Sequence, residues 1–183
     1  MPPAQTTFQL RMELEDIDPP IWRRLLVPGS IRLSKLSDVL QVAMGWTNSH
    51  LHSFTVGDDH YGMHVEDWPD NEVDEKTVTV LQALHGHDRF LYEYDFGDGW
   101  THDVSVEREV DTGRALKFAV CLAGESACPP EDCGGPSGYE QLLETLADPR
   151  HEDHEELLDW LGGPFDAAAF DLAAVNAELQ RLR

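Results

Sequence analysis

Residues 89–110 have the sequence RFLYEYDFGDGWTHDVSVEREV, and this stretch decides the fold class. Apolar and aromatic residues alternate with polar ones on both sides of a Gly-Asp-Gly sequence, which is typical of two antiparallel strands joined by a tight turn. A three-residue loop at positions 97–99 places every apolar residue on one face, whereas a two-residue loop divides them between both faces. We therefore predict the three-residue loop, in which the facing pairs are Phe96 and Trp100, Tyr94 and His102, Tyr92 and Val104, and Phe90 and Val106.

The segments before this hairpin predict further strands and one helix. Residues 7–15 alternate and residues 21–27 form an extended run, so both are predicted strands, with a turn at the two prolines between them. Ser34 is a candidate helix cap, and the apolar residues after it recur at the spacing of one helix face until Gly45. The remaining predicted elements are short strands at 51–56 and 77–80 and, between them, a solvated acidic loop with Glu66, Asp67, Asp70, Glu72, Asp74 and Glu75.

After the hairpin, the pattern changes from that of strands to that of helices. A strand is predicted at 116–122, followed by a Pro- and Gly-rich loop and by helices at 139–146, 151–161 and 172–182. Strands that precede helices in this way indicate an α+β fold. We expect a mainly antiparallel sheet with one N-terminal helix against it and a helical C-terminal third. Because no repeat and no linker divides the chain, we expect residues 1–183 to form a single domain.

The composition argues against several classes of protein. Of the 183 residues, 41% are hydrophobic, which is enough for a substantial core, and three cysteines do not suggest a disulfide scaffold. Thirteen Lys and Arg against 35 Asp and Glu give a formal charge of −22, which opposes binding to nucleic acids and to anionic membranes. No apolar run is long enough to predict a membrane span. The first residues lack the basic and apolar regions of a signal peptide, so we expect a cytoplasmic protein.

The cysteines are candidate metal ligands. Cys128 and Cys133 flank a tight Pro-Pro-Glu-Asp turn, and such a pair is a plausible half of a zinc site whose other ligands would come from Cys121 or from a distant histidine. Four residues separate the pair, however, whereas the usual zinc knuckle has two. We therefore expect reduced thiols that pack as small apolar groups, with Cys121 the most buried, and no cofactor. Zinc bound by these cysteines is the alternative.

Histidine and tryptophan side chains form a candidate ligand-binding groove. His50 and His52 lie on the same side of an extended segment, and His102 follows the DFGDGWT turn. If these histidines converge beside Trp46 and Trp100, they could bind a ligand or a metal, or transfer protons near neutral pH. The alternative for His102 is a hydrogen-bonded residue of the core.

Other polar clusters predict structural roles. Asp95 and Asp98 flank the hairpin turn, and we expect them to stabilise it rather than to act as an acid and a base. The chain has no GxSxG nucleophile motif and no Gly-rich phosphate loop. Trp22, Arg23 and Arg24 form the only basic and aromatic cluster, which favours a place in the core or a groove over a surface for stacking bases.

Five strings of the sequence are distinctive in their content and order. They are PPIWRRLLVP (19–28), AMGWTNSHLHSF (43–54), YEYDFGDGWTH (92–102), CPPEDCGGPSGYE (128–140) and WLGGPFDAAAFDLAAVNAEL (160–179). Together they resemble the plasmid pRiA4b ORF-3 family across nearly the whole chain. The resemblance implies a single α+β domain without an established activity. One departure is Leu36-Ser37, where we expect the family to have Leu-His.

Three hypotheses for the function follow. The first is a cytoplasmic binding module without catalysis, whose groove at Trp46, His50, His52, Trp100 and His102 takes a protein or a small-molecule ligand. The second is a metal-dependent hydrolytic enzyme with Cys128, Cys133 and one or more of the three histidines as zinc ligands. The third is an accessory factor in DNA transactions of mobile elements, which rests on a resolvase label carried by some relatives. The charge opposes the third, and the chain lacks the basic DNA-reading helix of a resolvase.

Overall fold

The computed structural model describes residues 6–63, 72–111 and 116–182. In this part of the chain, eight strands form one sheet and five helices accompany it. The strands are β1 (Thr7–Leu14), β2 (Trp22–Pro28), β3 (His52–Val56), β4 (Asp59–Gly62), β5 (Val73–Asp74), β6 (Arg89–Tyr94), β7 (Trp100–Val110) and β8 (Val120–Glu125). The helices are α1 (Leu33–Met44), α2 (Val80–Leu84), α3 (Gly135–Ala147), α4 (His154–Leu161) and α5 (Leu172–Leu179).

The sheet has the strand order β5-β4-β3-β6-β7-β1-β2-β8, and every neighbouring pair except β4 and β5 is antiparallel. The predicted α+β class with a mainly antiparallel sheet is therefore confirmed. At the outer edge of β8, Asn176 of α5 donates to Cys121 O and accepts from Cys121 N, each at 2.9 Å. The amide of Asn176 thus replaces a neighbouring strand at this position. None of the helices in the described ranges is long and apolar enough to cross a membrane.

The core lies on one face of the sheet because alternate strand residues are apolar. Helix α1 belongs to the same cluster of buried side chains as the strands, and its Ser37 and Gln41 both lie 2.9 Å from the hydroxyl of Tyr92 on β6. Burial raises the pKa of Tyr92, so this hydroxyl is neutral and can donate as well as accept. The largest fully buried apolar side chains are Trp100, Tyr92, Tyr94, Phe54, Leu10, Met12, Ile21, Leu25, Leu33, Leu36 and Leu40.

Helix α1 confirms the predicted helix and its end but not its predicted cap. It ends at Gly45, whose φ of 117° is the left-handed conformation that glycine favours. The prediction of Ser34 as the cap is wrong, because the helix begins at Leu33 and Arg32 is its N-cap residue. Backbone carbonyls from the segment before α2 accept the first free N–H groups of α1, with Leu33 N at 3.0 Å from Val78 O. The helix therefore needs no side-chain cap.

The predicted register of the β6–β7 hairpin is wrong by two residues. Tyr94 faces Trp100, Tyr92 faces His102 and Phe90 faces Val104, so the connection contains five residues, 95–99. The turn begins at Asp95, two residues before the predicted loop. Asp95 has a φ of 55°, its Oδ1 accepts from Gly97 N at 3.0 Å, and its carbonyl accepts from Gly99 N at 2.6 Å. A shift of two keeps each side chain on its predicted face, but it leaves Phe96 in the turn, where it is 43% exposed.

The strand predicted at 77–80 is also wrong. Thr79 is instead the N-cap of α2 and forms a capping box with Gln82. The short strands β4 and β5 were not predicted, and Glu66, Asp67 and Asp70 of the predicted acidic loop lie outside the described residues. Toward the C-terminus, the structure contains the strand and the three helices that were predicted there, with shifted ends.

Candidate functional site

Three loops meet at one end of the sheet. They connect α1 to β3, β6 to β7, and β8 to α3. Because β3 and β7 begin where β6 and β8 end, the antiparallel order places all three loops at the same end. Each loop contributes one side chain to a cluster of potential metal ligands, namely His50, Asp95 and Asp132. We call this cluster the three-loop site.

The donor atoms of the three-loop site are close enough to share one ion. His50 Nε2 lies 3.0 Å from Asp132 Oδ1 and 3.6 Å from Asp95 Oδ2, and the three donor atoms lie within 4.8 Å of one another. Two ligands that are each about 2.1 Å from a tetrahedral ion are about 3.4 Å apart. The two distances from His50 bracket this value. Within the described ranges, this is the one group of three or more such side chains whose donor atoms converge.

His50 has an unusual environment. Its side chain is 29% exposed, but its Nε2 atom is buried and makes no hydrogen bond with the described residues, since the nearby carboxylates are not aligned for one. A third carboxylate, that of Glu131, lies 4.0 Å from the same nitrogen. A buried ring nitrogen without a hydrogen bond is costly, and a metal ion bound to this nitrogen would remove that cost.

Asp95 is oriented by the turn that it begins. Its Oδ1 accepts from Gly97 N at 3.0 Å and from Asp98 N at 3.4 Å, and these bonds hold the carboxylate in one orientation. Its Oδ2 lies 3.6 Å from His50 Nε2. The same side chain therefore shapes the turn through one oxygen and presents the other to the cluster.

Glu131 is held beside the cluster by the first loop and by β6. One of its oxygens accepts from Thr47 N at 2.8 Å and from Tyr94 OH at 3.0 Å. Burial and, after it, the charge of Glu131 raise the pKa of Tyr94 to about 12. The phenol therefore keeps its proton and donates a hydrogen bond to the carboxylate. The hydroxyl also accepts from Ser49 N at 3.0 Å. Tyr94 thus connects the loop of Glu131 to the loop of His50.

The β8–α3 loop docks closely on the hairpin turn. Gly134 N donates to Asp98 Oδ2 at 3.1 Å, and a Cβ at Gly135 would lie 2.2 Å from Asp98 O. Gly135 also has a φ of 69°, so both space and conformation require glycine there. Asp132, which precedes these glycines, is 70% exposed and has a φ of 56°. The cluster is therefore open to solvent on the side of Asp132.

Arg23 anchors the beginning of the same loop from inside the core. It is 1% exposed and donates to four backbone carbonyls: Ala43 O, Trp22 O, Glu125 O and Ser126 O. Its guanidinium lies over the ring of Phe170 at 4.3 Å. Ala43 is in the last turn of α1, where carbonyl groups lack helix partners and favour a cation. Arg23 therefore joins α1, β2 and the loop that leads to Asp132.

One family model matches most of this chain. The model of the family described as plasmid pRiA4b ORF-3-like protein matches residues 6–174. The chain belongs to this family. It is 42% identical over 180 residues to the uncharacterized protein y4hQ of Sinorhizobium fredii, a match that covers 97% of this chain and 92% of that protein. The crystal structure of MM3350, a protein of unknown function from Methanosarcina mazei Go1, is similar with a TM-score of 0.84 and 34% identity, covering 92% of this chain and 96% of that one.

Each of the three side chains of the three-loop site lies in a different one of the five strings that resemble the pRiA4b ORF-3-like family. His50 lies in AMGWTNSHLHSF, Asp95 in YEYDFGDGWTH and Asp132 in CPPEDCGGPSGYE. Arg23, in PPIWRRLLVP, donates to Glu125 O and Ser126 O, just before the string that contains Asp132. Sequence analysis selected His50 but assigned Asp95 to the turn and did not consider Asp132 as a ligand. One signal in the sequence could have pointed to the whole site. In three separate strings, a polar residue with a metal-binding side chain lies in a loop next to a predicted strand.

Most of the predicted ligand groove is core. Trp46, Trp100 and His102 come together, with the Trp46 ring 5.7 Å from Trp100 and 5.2 Å from His102, but all three are buried. His52 lies apart from them in a buried pair with Glu75 at 2.8 Å. Of the five predicted groove residues, the structure places only His50 at the surface. Of the predicted groove, only His50 is therefore placed to contact a ligand, together with the carboxylates around it.

The three cysteines are free thiols. Cys121 has the smallest exposed fraction of the three, 2%, as predicted, while Cys128 and Cys133 are half-buried. Burial raises the pKa of each thiol, in Cys133 to about 12 with a further contribution from Asp98. Zinc binds thiolates, so these environments do not favour the cysteines as ligands.

Proposed function

We propose that this protein is a binding module for a divalent metal ion, which the three-loop site holds through His50 Nε2 and one oxygen each of Asp95 and Asp132. The observation that carries the proposal is the Nε2 atom of His50, which is buried, makes no hydrogen bond to any residue that the structure describes, and has two carboxylate oxygens at 3.0 and 3.6 Å. A cation between these three atoms satisfies the nitrogen and neutralises the carboxylates at the same time.

The donor set favours Zn²⁺ or Mn²⁺. Imidazole is a good ligand for first-row transition metals, and carboxylates bind both of these ions well. Mg²⁺ and Ca²⁺ prefer sites made of oxygen alone, so a histidine nitrogen disfavours them. Glu131, fixed by Thr47 and Tyr94, lies close enough to orient the ligands or a bound water.

Isothermal titration calorimetry on protein without an affinity tag tests the proposal. We expect one Zn²⁺ or Mn²⁺ per chain, and His50→Ala should weaken binding by at least about tenfold, the smallest loss typical even for supporting residues of metal sites. Asp132→Asn should act in the same direction. His60→Ala is the matched control because His60 is an exposed histidine on β4 outside the cluster. Unchanged affinity in His50→Ala, or loss of binding in Cys133→Ser alone, contradicts the proposal.

A second candidate function is metal-dependent hydrolysis. The observation that favours it is the 70% exposure of Asp132, which leaves the open side of the three ligands facing solvent. A fourth position occupied by water is typical of catalytic zinc sites, where the metal lowers the pKa of the water to about 7. Hydrolysis of p-nitrophenyl acetate and p-nitrophenyl phosphate, with and without Zn²⁺ or Mn²⁺, tests it. Activity that depends on metal and disappears in His50→Ala supports an enzyme, whereas metal binding without such activity supports a binding module.

A further inference from the structure

A cleft of about 410 Å³ lies between α3 and α4. Its apolar wall is formed by Leu142 of α3 and by Leu157 and Trp160 of α4. Trp160 is 52% exposed, which is unusual for the largest apolar side chain. The volume lies in the range of pockets that bind small molecules. The cleft therefore offers an aromatic surface of suitable size to a ligand.

The charged side chains that line the cleft are all acidic, and Gln141 and Thr145 are its uncharged polar residues. Three carboxylates line it, those of Asp132, Asp153 and Glu156, and no lysine, arginine or histidine is among its lining residues in the described ranges. Glu156 and Trp160 are four residues apart on α4, so they are neighbours on one helix face. An anionic ligand is repelled here, whereas a cation beside Glu156 also lies next to the Trp160 side chain, whose indole ring attracts cations.

We propose that this cleft binds a small organic cation with an apolar body, such as an aromatic or aliphatic amine. The apolar body lies against Leu142, Leu157 and Trp160, and the ammonium group faces Asp153 and Glu156. The proposal goes beyond the metal site and does not require a metal. The cleft and the three-loop site share Asp132, but four of the five residues that would contact the amine belong to α4 or to its N-cap and none of the five belongs to the three-loop site.

A series of three ligands with one ring tests the charge requirement. Phenethylamine, 2-phenylethanol and phenylacetate are titrated into protein that has been treated with EDTA, and the indole N–H signals of the five tryptophans are followed by NMR. We expect phenethylamine to shift the Trp160 signal saturably, the neutral alcohol to bind more weakly and phenylacetate not to bind. Equal binding of the amine and the alcohol, or absence of any saturable shift of the Trp160 signal by the amine, overturns the proposal.

Variants on α4 test the position. Glu156→Gln should weaken the binding of phenethylamine by about threefold, as expected for an exposed ion pair. Glu155→Gln is the matched control, since Glu155 is the adjacent carboxylate on the same helix and does not line the cleft. An equal effect of both variants means general attraction to an acidic surface and contradicts the site. His50→Ala should leave the amine affinity unchanged, so a failure of either proposal can be recognised without the other.

Discussion

Acidification from pH 7 to pH 4 should destabilise the fold through His102. This side chain is completely buried, and its Nδ1 lies 3.0 Å from Tyr92 O, a carbonyl that can only accept. Nδ1 therefore carries the proton of a neutral ring. Burial lowers the pKa of His102 from 6.5 to about 4, so the folded protein resists a second proton that the unfolded chain binds readily.

The expected magnitude follows from the two pKa values. The folded pKa lies below the unfolded one, so the contribution to stability is complete above pH 6.5 and is lost as the pH falls through about 4. A difference of about 2.5 pKa units corresponds to about 3 kcal/mol of unfolding free energy. Titration of other groups also changes stability in this range, so a variant that lacks only this imidazole is required.

Urea unfolding of the wild type and of His102→Asn between pH 7 and pH 4 measures the effect. Asparagine can still donate to Tyr92 O but does not titrate, so the wild type should lose about 3 kcal/mol more than the variant over this range. Nitrogen NMR of the wild type at pH 5 should show a neutral His102 ring protonated at Nδ1. Parallel pH profiles for the two proteins, or a protonated imidazolium at pH 5, would refute the reasoning.

Three further predictions concern stability and nucleic acid. Arg23→Met should reduce the free energy of unfolding, measured in urea, by about 3 kcal/mol because four carbonyls lose a charged donor. Arg24 is partly exposed, so Arg24→Met is the control, and an equal or larger loss in that variant would contradict the role of Arg23. Gly99→Val should lower stability in a thermal melt by about 1 kcal/mol or more because Gly99 has a φ of 71°, which a β-branched residue rarely adopts. Gly99→Asn should lower stability less because asparagine tolerates a positive φ, and equal losses in the two variants would exclude this explanation. Random duplex DNA should show no gel shift at physiological salt because the formal charge is −22, and micromolar affinity would disprove that.

The faces of the sheet could be predicted from the sequence, but the hairpin register could not. Alternation determines which side chains point to the core, and a register shift of two residues preserves it, so Phe90 and Tyr92 are buried on the face that was predicted to be apolar. The register itself depends on Asp95, whose side chain bonds to the backbone of residues 97 and 98 and makes a five-residue connection. Composition around Gly-Asp-Gly does not distinguish this turn from a shorter one.

The candidate site was only partly predictable because it depends on contacts between distant segments. His50 was selected for its chemistry, while Asp95 was interpreted as a turn residue, a role that it also has. Asp132 lies 37 residues after Asp95, and only the strand order brings the two loops to the same end of the sheet. The cysteines beside Asp132 suggested a metal in this loop, but the converging ligand atoms belong to the carboxylates and to His50.

Anomalous diffraction from crystals grown with Mn²⁺ or Zn²⁺ tests metal binding at the three-loop site most directly. We predict one strong peak about 2.1 Å from His50 Nε2 and from one oxygen each of Asp95 and Asp132. A peak bound by Cys128 and Cys133 instead, or no peak at His50 at saturating metal concentration, would contradict the account.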